Sequence, residues 1–232
     1  MTIPVKPKDP QVVAPGVFLV GGPDFTDSRD CLCYLAVGND ARVLLDFGAG
    51  PSAERILELA CQAGGAPPTH LLLTHAHIDH AGGAAHLAQE TGLPIMVHRL
   101  DAQTLAQGDP HRSAATWYGL QLTPVENLTI LTGGETLPLD PGRLLTILHA
   151  PGHTPGSLAA WCPAGDYKVL FAQDLHGPFL PEFGSDLEDW RRSMDALLEL
   201  RADVLCEGHF GVYRPREKVE AYIRHHLRLQ GH

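Results

Sequence analysis

The sequence predicts an α/β protein built as a four-layer α/β/β/α sandwich. Three observations favour this fold class: short strands open the chain without intervening helices, strands and helices then alternate, and the second half of the 232 residues repeats that alternation. No linker-like segment separates the two halves. Residues 1–232 are therefore expected to form one domain.

The first half is predicted from turn signals and hydrophobic periodicity. Pro51 suits the first turn of a helix, and apolar residues then recur at helical spacing until the run Gly64-Gly65-Ala66-Pro67-Pro68 stops the segment. A second helix is expected to end at about Glu90. Strands are expected at residues 17–20, 31–37, 42–47, 69–73 and 93–98.

The second half begins after residues 99–127, which are expected to form an inserted excursion of helix or loop. A helix is predicted from about residue 187 to 200, and a closing helix from about residue 216 to 230. Strands are expected at residues 128–131, 135–139, 144–149, 157–162, 168–172 and 204–207. The closing helix carries an apolar stripe that could dock on the sheet or form a dimer seam, so monomer and homodimer both stay open.

Composition excludes several classes of function. The formal net charge is −10, from 17 basic and 27 acidic residues, which disfavours a sequence-independent grip on nucleic acid. No apolar run approaches the length of a membrane span, and the Pro-rich N-terminus lacks the apolar core of a signal peptide. We therefore expect a cytoplasmic protein with reduced cysteines that acts on a small molecule, without nucleic acid or membrane partners.

The stretch THAHIDH, residues 74–80, is the strongest candidate for a metal site. His75 and His77 are two apart in an extended segment, so their side chains should point the same way and hold one ion. Asp79 and His80 lie where the chain turns into a helix, which aims them from another direction. Gly82 and Gly83 are expected to let that helix approach the ions closely. The alternative is that Asp79 only caps the helix.

Three further donors are expected at strand ends in the second half. His153 lies in the stiff turn APGHTPGS, Asp174 ends VLFAQD, and His209 follows a strand in VLCEGHFG. Each alone would most often be structural. Together with His75, His77, Asp79 and His80 they make seven ligands, which is enough for two ions that share one carboxylate.

These four motifs, in this order, resemble the metallo-β-lactamase superfamily, and within it the glyoxalase II and lactonase branch. The resemblance implies that His75, His77 and His153 bind the first metal ion. It further implies that Asp174 bridges the two ions and that Asp79, His80 and His209 complete the second site. The resemblance also implies that Asp46, in the segment LLDFGAG, orients the loop that carries the ligands.

Departures from relatives narrow the expected activity. Asp174 and the complete first motif are present, whereas true β-lactamases of this fold lack the bridging carboxylate or replace a ligand, so antibiotic hydrolysis is not expected. Little chain follows His209, so the helical glutathione-binding domain of longer glyoxalase II enzymes is not expected either. Lactonases carry a tyrosine three residues after the bridging aspartate, where Gly177 stands, and His176 is the nearest remaining proton donor.

The expected chemistry is hydrolysis by a metal-bridging hydroxide, with Asp79, Asp174 and His176 as catalytic residues. Two divalent ions lower the pKa of a shared water to about 7. A thiolate leaves readily, since its parent thiol has a pKa of about 8.5, so a missing tyrosine donor favours a thioester over an ester or lactone. Nitrogen and oxygen ligands suit Zn, Fe or Mn, with zinc as the default.

Two other hypotheses stay open. A persulfide dioxygenase of the same fold would hold a single iron, and a non-catalytic binding module would hold no metal. The loop of residues 176–186, with two Phe and two Pro, is a candidate wall of the substrate site, as are Trp117 and Tyr118. Arg99, Arg112, Arg191 and Arg192 could meet an anionic substrate, although solvation is the ordinary role of each.

Overall fold

The computed structural model describes residues 9–231, so the expectation for the extreme N-terminus lies mostly outside the described residues. Seven strands form the first sheet in sequence order. They pair antiparallel up to the fourth strand and parallel from there on. The strands are β1 Gln11–Ala14, β2 Val17–Gly21, β3 Cys33–Val37, β4 Arg42–Leu45, β5 His70–Leu72, β6 Ile95–His98 and β7 Leu128–Leu131.

Six strands form the second sheet, in the order β13-β12-β11-β10-β9-β8. Only β11 and β12 pair in parallel, and the other neighbours are antiparallel. The strands are β8 Thr136–Asp140, β9 Arg143–His149, β10 Leu158–Ala164, β11 Tyr167–Ala172, β12 Val204–Cys206 and β13 Val212–Tyr213.

The helices connect these strands. They are α1 Ala53–Gly64, α2 Ile78–Ala81, α3 Ala84–Thr91, α4 Ala102–Gln107, α5 Ala115–Tyr118, α6 Leu187–Glu199 and α7 Arg216–Leu229. The short helices α4 and α5 occupy the segment predicted as an inserted excursion, and a single 3₁₀ turn, Pro181–Phe183, precedes α6. No helix of the described residues has the length and apolar character needed to cross a membrane.

Three buried apolar clusters define the layers. One lies between the two sheets and contains residues such as Tyr34, Ile147 and Phe171. The second joins the first sheet to α1 and α3, and the third joins the second sheet to α6 and α7. A sheet buries both faces only when another layer covers each of them. The three clusters therefore confirm the predicted four-layer α/β/β/α sandwich.

Two local predictions were wrong for reasons visible in the backbone. The strand expected from residue 31 begins at Cys33, because the amide of Cys31 donates to Asp79 O (3.1 Å) and that of Leu32 donates to Gly208 O (2.7 Å). Residues 31 and 32 thus contact the candidate metal loops and do not extend the sheet.

The helix expected after THAHIDH is broken into α2 and α3 by Gly82 and Gly83. A Cβ at Gly82 would clash with the carbonyl oxygen of Ala49, and one at Gly83 with that of Phe47. The glycines therefore allow close packing against the loop after β4, and the close approach to ions expected of them stays a prediction. The strands β1 and β13 were not predicted.

Candidate metal centre

The loop that carries THAHIDH is fixed by a buried aspartate on the neighbouring strand. Because β4 and β5 run parallel, their carboxyl ends lie side by side. Asp46, just after β4, accepts hydrogen bonds from the amide of Thr74 at Oδ1 and from its hydroxyl at Oδ2, both 2.7 Å long. This matches the orienting role expected for Asp46. His75 and His77 follow in an irregular loop, and His77 directly precedes α2.

The other three candidate donors lie in loops that follow strands of the second sheet. Asp174 follows β11 and His209 follows its parallel neighbour β12, so both strand ends point the same way. His153 lies in the turn between β9 and β10. The structure therefore brings together all seven residues that the sequence singled out.

The first cluster consists of His75, His77, His153 and Asp174, whose donor atoms all lie within 4.8 Å of one another. His153 Nε2 is 2.9 Å from His77 Nδ1 and 3.3 Å from Asp174 Oδ2. His75 Nε2 is 3.8 Å from the same Oδ2. All four residues are buried.

The second cluster consists of Asp79, His80 and His209, again within 4.8 Å. Asp79 Oδ2 is 3.5 Å from His80 Nε2 and 3.4 Å from His209 Nε2. The second oxygen of Asp174, Oδ1, faces this cluster, 3.3 Å from His80 Nε2 and 3.0 Å from His209 Nε2. A single carboxylate thus presents one oxygen to each cluster.

These spacings fit metal ligands. Tetrahedral bonds of about 2.1 Å separate the donor atoms around one ion by roughly 3.4 Å, close to the distances found here. His75 Nε2 is buried and has no hydrogen-bond partner among the described residues. Such an orphaned atom costs free energy unless another group binds it. Imidazole and carboxylate donors without thiolate suit divalent Zn, Fe or Mn.

The electrostatics of the two clusters differ. Burial lowers the pKa of His75 and of His77 well below its ordinary value, and that of His153 also lies below it. Burial also lowers the pKa of His80 and His209, but the carboxylates around them more than offset it, and both pKa values are raised. Without metal ions, the imidazoles of the first cluster therefore favour the neutral form, and those of the second cluster favour the protonated form.

Hydrogen bonds outside the clusters set the histidine tautomers. His80 Nδ1 donates to Asp46 Oδ2 at 2.8 Å, and His153 Nδ1 donates to the carbonyl of Pro178 at 2.9 Å. A carbonyl oxygen only accepts, so the proton of neutral His153 resides on Nδ1. Its Nε2 then presents a lone pair to the first cluster, as a metal ligand requires.

Asp101, from the inserted segment, is a functional residue that the sequence reading missed. Its buried carboxylate accepts from the amide of Ala76 (3.1 Å), the hydroxyl of Thr154 (2.8 Å) and the amide of Gly156 (2.9 Å). It ties the loop of His75 and His77 to the loop of His153. Its place just past the end of β6 was the available signal, but an aspartate there more often caps a helix.

Glu207 was also missed, although it stands two residues before His209. Its side chain is fully buried, and Oε2 accepts from the amides of His209 (2.6 Å) and Phe210 (2.8 Å). His176 Nδ1 lies 3.2 Å from Glu207 Oε1. Glu207 therefore both shapes the His209 loop and orients the histidine predicted as a proton donor.

A pocket of about 190 Å³ opens onto the metal clusters. Trp117 and Phe183 form an aromatic wall, with ring centroids 5.0 Å apart, and His176 lies in the lining. Both segments named as candidate walls therefore reach the site. Tyr118 also lines it; burial and the nearby carboxylate of Asp79 raise the pKa of Tyr118. A phenol thus lies at the centre despite Gly177.

Comparison with known proteins identifies the family. The model of the metallo-beta-lactamase superfamily matches residues 26–209. Acyl-coenzyme A thioesterase MBLAC2 from Gallus gallus is 27% identical over 85% of this chain and 79% of its own length. The uncharacterized protein ML0493 of Mycobacterium leprae is 30% identical over 77% of this chain and 86% of its own length.

Solved structures share the fold. The Rm3 metallo-beta-lactamase superposes with a TM-score of 0.77 at 23% identity, over 97% of this chain and 93% of its own. A beta-lactamase from Chitinophaga pinensis gives a TM-score of 0.76 at 24% identity, over 98% and 92%. The family model matches most of the chain, and the site groups histidines and aspartates that could hold metal ions. The chain therefore belongs to the metallo-beta-lactamase superfamily of hydrolases.

Proposed function

We propose that the protein is a binuclear metal-dependent thioesterase that hydrolyses a small acyl thioester. The observation that carries this proposal is the position of Asp174, whose two carboxylate oxygens face two separate donor clusters. One ion would be held by His75, His77 and His153, and the other by Asp79, His80 and His209. Asp174 would join the two ions.

The metal ions would supply the nucleophile and the polarisation. When bound, two divalent ions lower the pKa of a water to about 7 and act as Lewis acids toward the scissile carbonyl. Water adds to the thioester carbonyl, the carbon–sulfur bond breaks, and a carboxylic acid and a thiol are released. Zinc is the proposed metal, because imidazole and carboxylate are its usual ligands in catalytic sites; the same donors also suit Fe or Mn.

The chain itself supplies orientation and a proton donor. Glu207 accepts from Nδ1 of His176, so the imidazolium form of His176 carries on Nε2 the proton that it can give to a leaving group in the pocket. Tyr118 lies in the pocket lining near the carboxylate of Asp79 and offers a phenolic O–H there. Trp117 and Phe183 give an apolar surface against which an acyl chain can pack.

The thioester class rests on the relatives more than on the missing lactonase tyrosine. Tyr118 reaches the pocket from a different element, so an alkoxide leaving group would also find a phenol nearby. What supports a thioester is the named activity of the chicken relative, whose likeness covers 85% of this chain. A thiolate also needs less protonation than an alkoxide.

A substrate panel with measured metal content tests the proposal. Purified enzyme would be assayed on acyl thioesters, lactones, phosphodiesters and β-lactams after its metal is quantified by mass spectrometry. We expect about two zinc ions per chain and a thioester kcat/KM at least about tenfold above that for any lactone. Faster lactone cleavage would contradict the thioesterase proposal.

The same metal measurement separates the other hypotheses. A single iron per chain, with oxygen consumed during turnover of a persulfide, would indicate a dioxygenase of the same fold. A protein purified without chelator that carries no metal would indicate a binding module. Neither result is compatible with a binuclear hydrolase.

A further inference from the structure

We infer that a groove between α6 and α7 is an anion-binding subsite that takes the phosphate groups of a coenzyme A thioester. This inference rests on the proposed thioesterase function and names the substrate class. The groove has a volume of about 270 Å³ and is lined by Arg191, Asp195, Arg224, Leu227 and Arg228. None of these residues belongs to the metal centre.

The groove is positively charged in a chain whose net charge is −10. Three arginines line it against a single carboxylate, that of Asp195. None of the three forms an ion pair with a described residue. The neighbouring Arg192, by contrast, pairs with Glu188 and Asp189 on its own helix. Arginines that serve only as a solvated surface commonly find such partners on the same helix face.

Arg191 shows that the groove lacks a ligand for a donor that needs one. Its Nε is buried and has no hydrogen-bond partner among the described residues. A buried guanidinium N–H without an acceptor is unfavourable, so Arg191 gains from a rearrangement that gives its guanidinium an oxyanion partner. The planar fork of arginine matches phosphate oxygens in a bidentate fashion, so three such groups suit one or two phosphates.

Contacts before the start of α6 and near the end of α7 connect the two helices of the groove to the metal centre. The segment before α6 is tied to the His153 turn, since Ser185 Oγ donates to His153 O (2.6 Å). Arg191 follows the first residue of α6, Leu187, by four residues, a rise of about 6 Å. On α7, the ring of His226 is 6.3 Å from that of His176, which lines the catalytic pocket.

The size of the groove points to part of a ligand. Complete small-molecule pockets enclose about 300–1,000 Å³, so this groove suits an anionic end group that is tethered to something bound elsewhere. In a coenzyme A thioester, the pantetheine arm separates the reacting sulfur from the phosphates. The phosphates must therefore bind away from Asp174 when the thioester lies in the catalytic pocket.

Paired substrates test the subsite separately from the chemistry. Acyl-coenzyme A and the matching acyl-pantetheine share the thioester and differ in the phosphates. We expect R191Q and R224Q each to lower kcat/KM for acyl-coenzyme A about tenfold, mainly through KM, and to leave acyl-pantetheine within about twofold. R192Q, which removes one charge from α6 outside the groove, is expected to change neither by more than about twofold.

Calorimetric titration gives a readout that does not depend on turnover. Free coenzyme A and inorganic phosphate would be titrated into wild type, R191Q and R192Q, each checked for an unchanged melting temperature. We expect coenzyme A to bind wild type and R192Q alike and R191Q about tenfold more weakly, with inorganic phosphate much weaker than coenzyme A. Inorganic phosphate that binds as tightly as coenzyme A would overturn the assignment and indicate a free-phosphate site.

The two proposals fail in different ways. Equal loss of acyl-coenzyme A and acyl-pantetheine hydrolysis in R191Q, or wild-type enzyme that prefers acyl-pantetheine, would overturn the subsite while thioesterase activity stands. Tight coenzyme A binding that R191Q weakens, without hydrolysis of either thioester, would support the subsite and reject the thioesterase function.

Discussion

The two candidate metal clusters share Asp174 but differ in depth and charge. In the first cluster the histidines are at most 4% exposed, and burial keeps their pKa values below the ordinary range. In the second, the side chain of His209 is 25% exposed, and surrounding carboxylates raise the pKa of His80 and His209. Both clusters reach the pocket, the first through His77 and the second through Asp79 and His209, so they differ in the exposure of His209 and in the carboxylates around His80 and His209.

This difference suggests a division of labour within the proposed binuclear centre. A buried, neutral set of imidazoles favours retention of an ion, because no proton must leave when the ion binds. An accessible site with an additional carboxylate favours exchange and contact with substrate. The predictions below test this contrast, from the largest expected effect to the smallest.

Replacing the shared carboxylate should cost the most. D174A removes an oxygen from each cluster, so we expect kcat/KM to fall by about 10⁴-fold and metal content to fall at both positions. D166N, a change in the exposed turn between β10 and β11, serves as the control and should retain full activity. Substantial activity in D174A, measured by thiol release, would rule out a bridging role.

Single histidine variants should separate the clusters. H209A leaves the first cluster complete and is expected to keep about one ion per chain through dialysis against a weak chelator. H153A damages the first cluster. It is expected to keep less than one ion per chain, because the ion left at the second cluster exchanges more readily. Metal content by mass spectrometry checks both, with the exposed His225 replaced in H225A as control. Equal losses in the two variants would contradict the contrast.

The orienting carboxylates should have intermediate effects, one for each cluster. D46N disturbs the hydrogen bond to His80, and D101N loosens the link between the His77 and His153 loops. Each is expected to weaken metal affinity by about 10–100-fold, the usual effect of residues that orient ligands. Competition with a fluorescent chelator measures this metal affinity. Variants that bind metal like wild type would show that these carboxylates serve only folding.

The smallest expected difference between the clusters is the number of protons released when an ion binds. Because the pKa of His80 and His209 is raised in the metal-free protein, ion binding there must displace protons and should strengthen as pH rises. The lowered pKa values of the first cluster predict little proton release near neutral pH. Calorimetry of H153A and H209A in buffers of different ionisation enthalpy should differ by roughly one proton per ion. Equal proton release would refute the electrostatic contrast.

Much of the metal centre was predictable because its residues carry local signals. His75, His77, Asp79 and His80 lie within one short stretch, and Asp174 directly follows an apolar strand. The carboxyl ends of parallel strands meet at one sheet edge, so donors at those ends are brought together by the topology itself. The structure groups all seven donors, and their roles as ligands stay a prediction that metal analysis can test.

The residues that were missed act across long sequence separations. Asp101 bonds to Ala76 and Gly156, which are 25 and 55 residues away. Tyr118 was named as a candidate pocket wall, but its place beside Asp79 follows only from the way the inserted segment folds. The close packing of Gly82 and Gly83 was not predicted for the same reason, since their close neighbours lie on the loop after β4.

The sequence by itself determined the layers of the fold and the identity of the seven donors, because strand alternation, turn residues and metal-binding side chains are local patterns. Only the tertiary structure decided which oxygen of Asp174 faces which cluster, which carboxylates orient the histidines, and that arginines of α6 and α7 line one groove. These features depend on how the two sheets and their outer helices pack. Packing brings together residues that are far apart in sequence, and the local sequence around each residue does not indicate its partner.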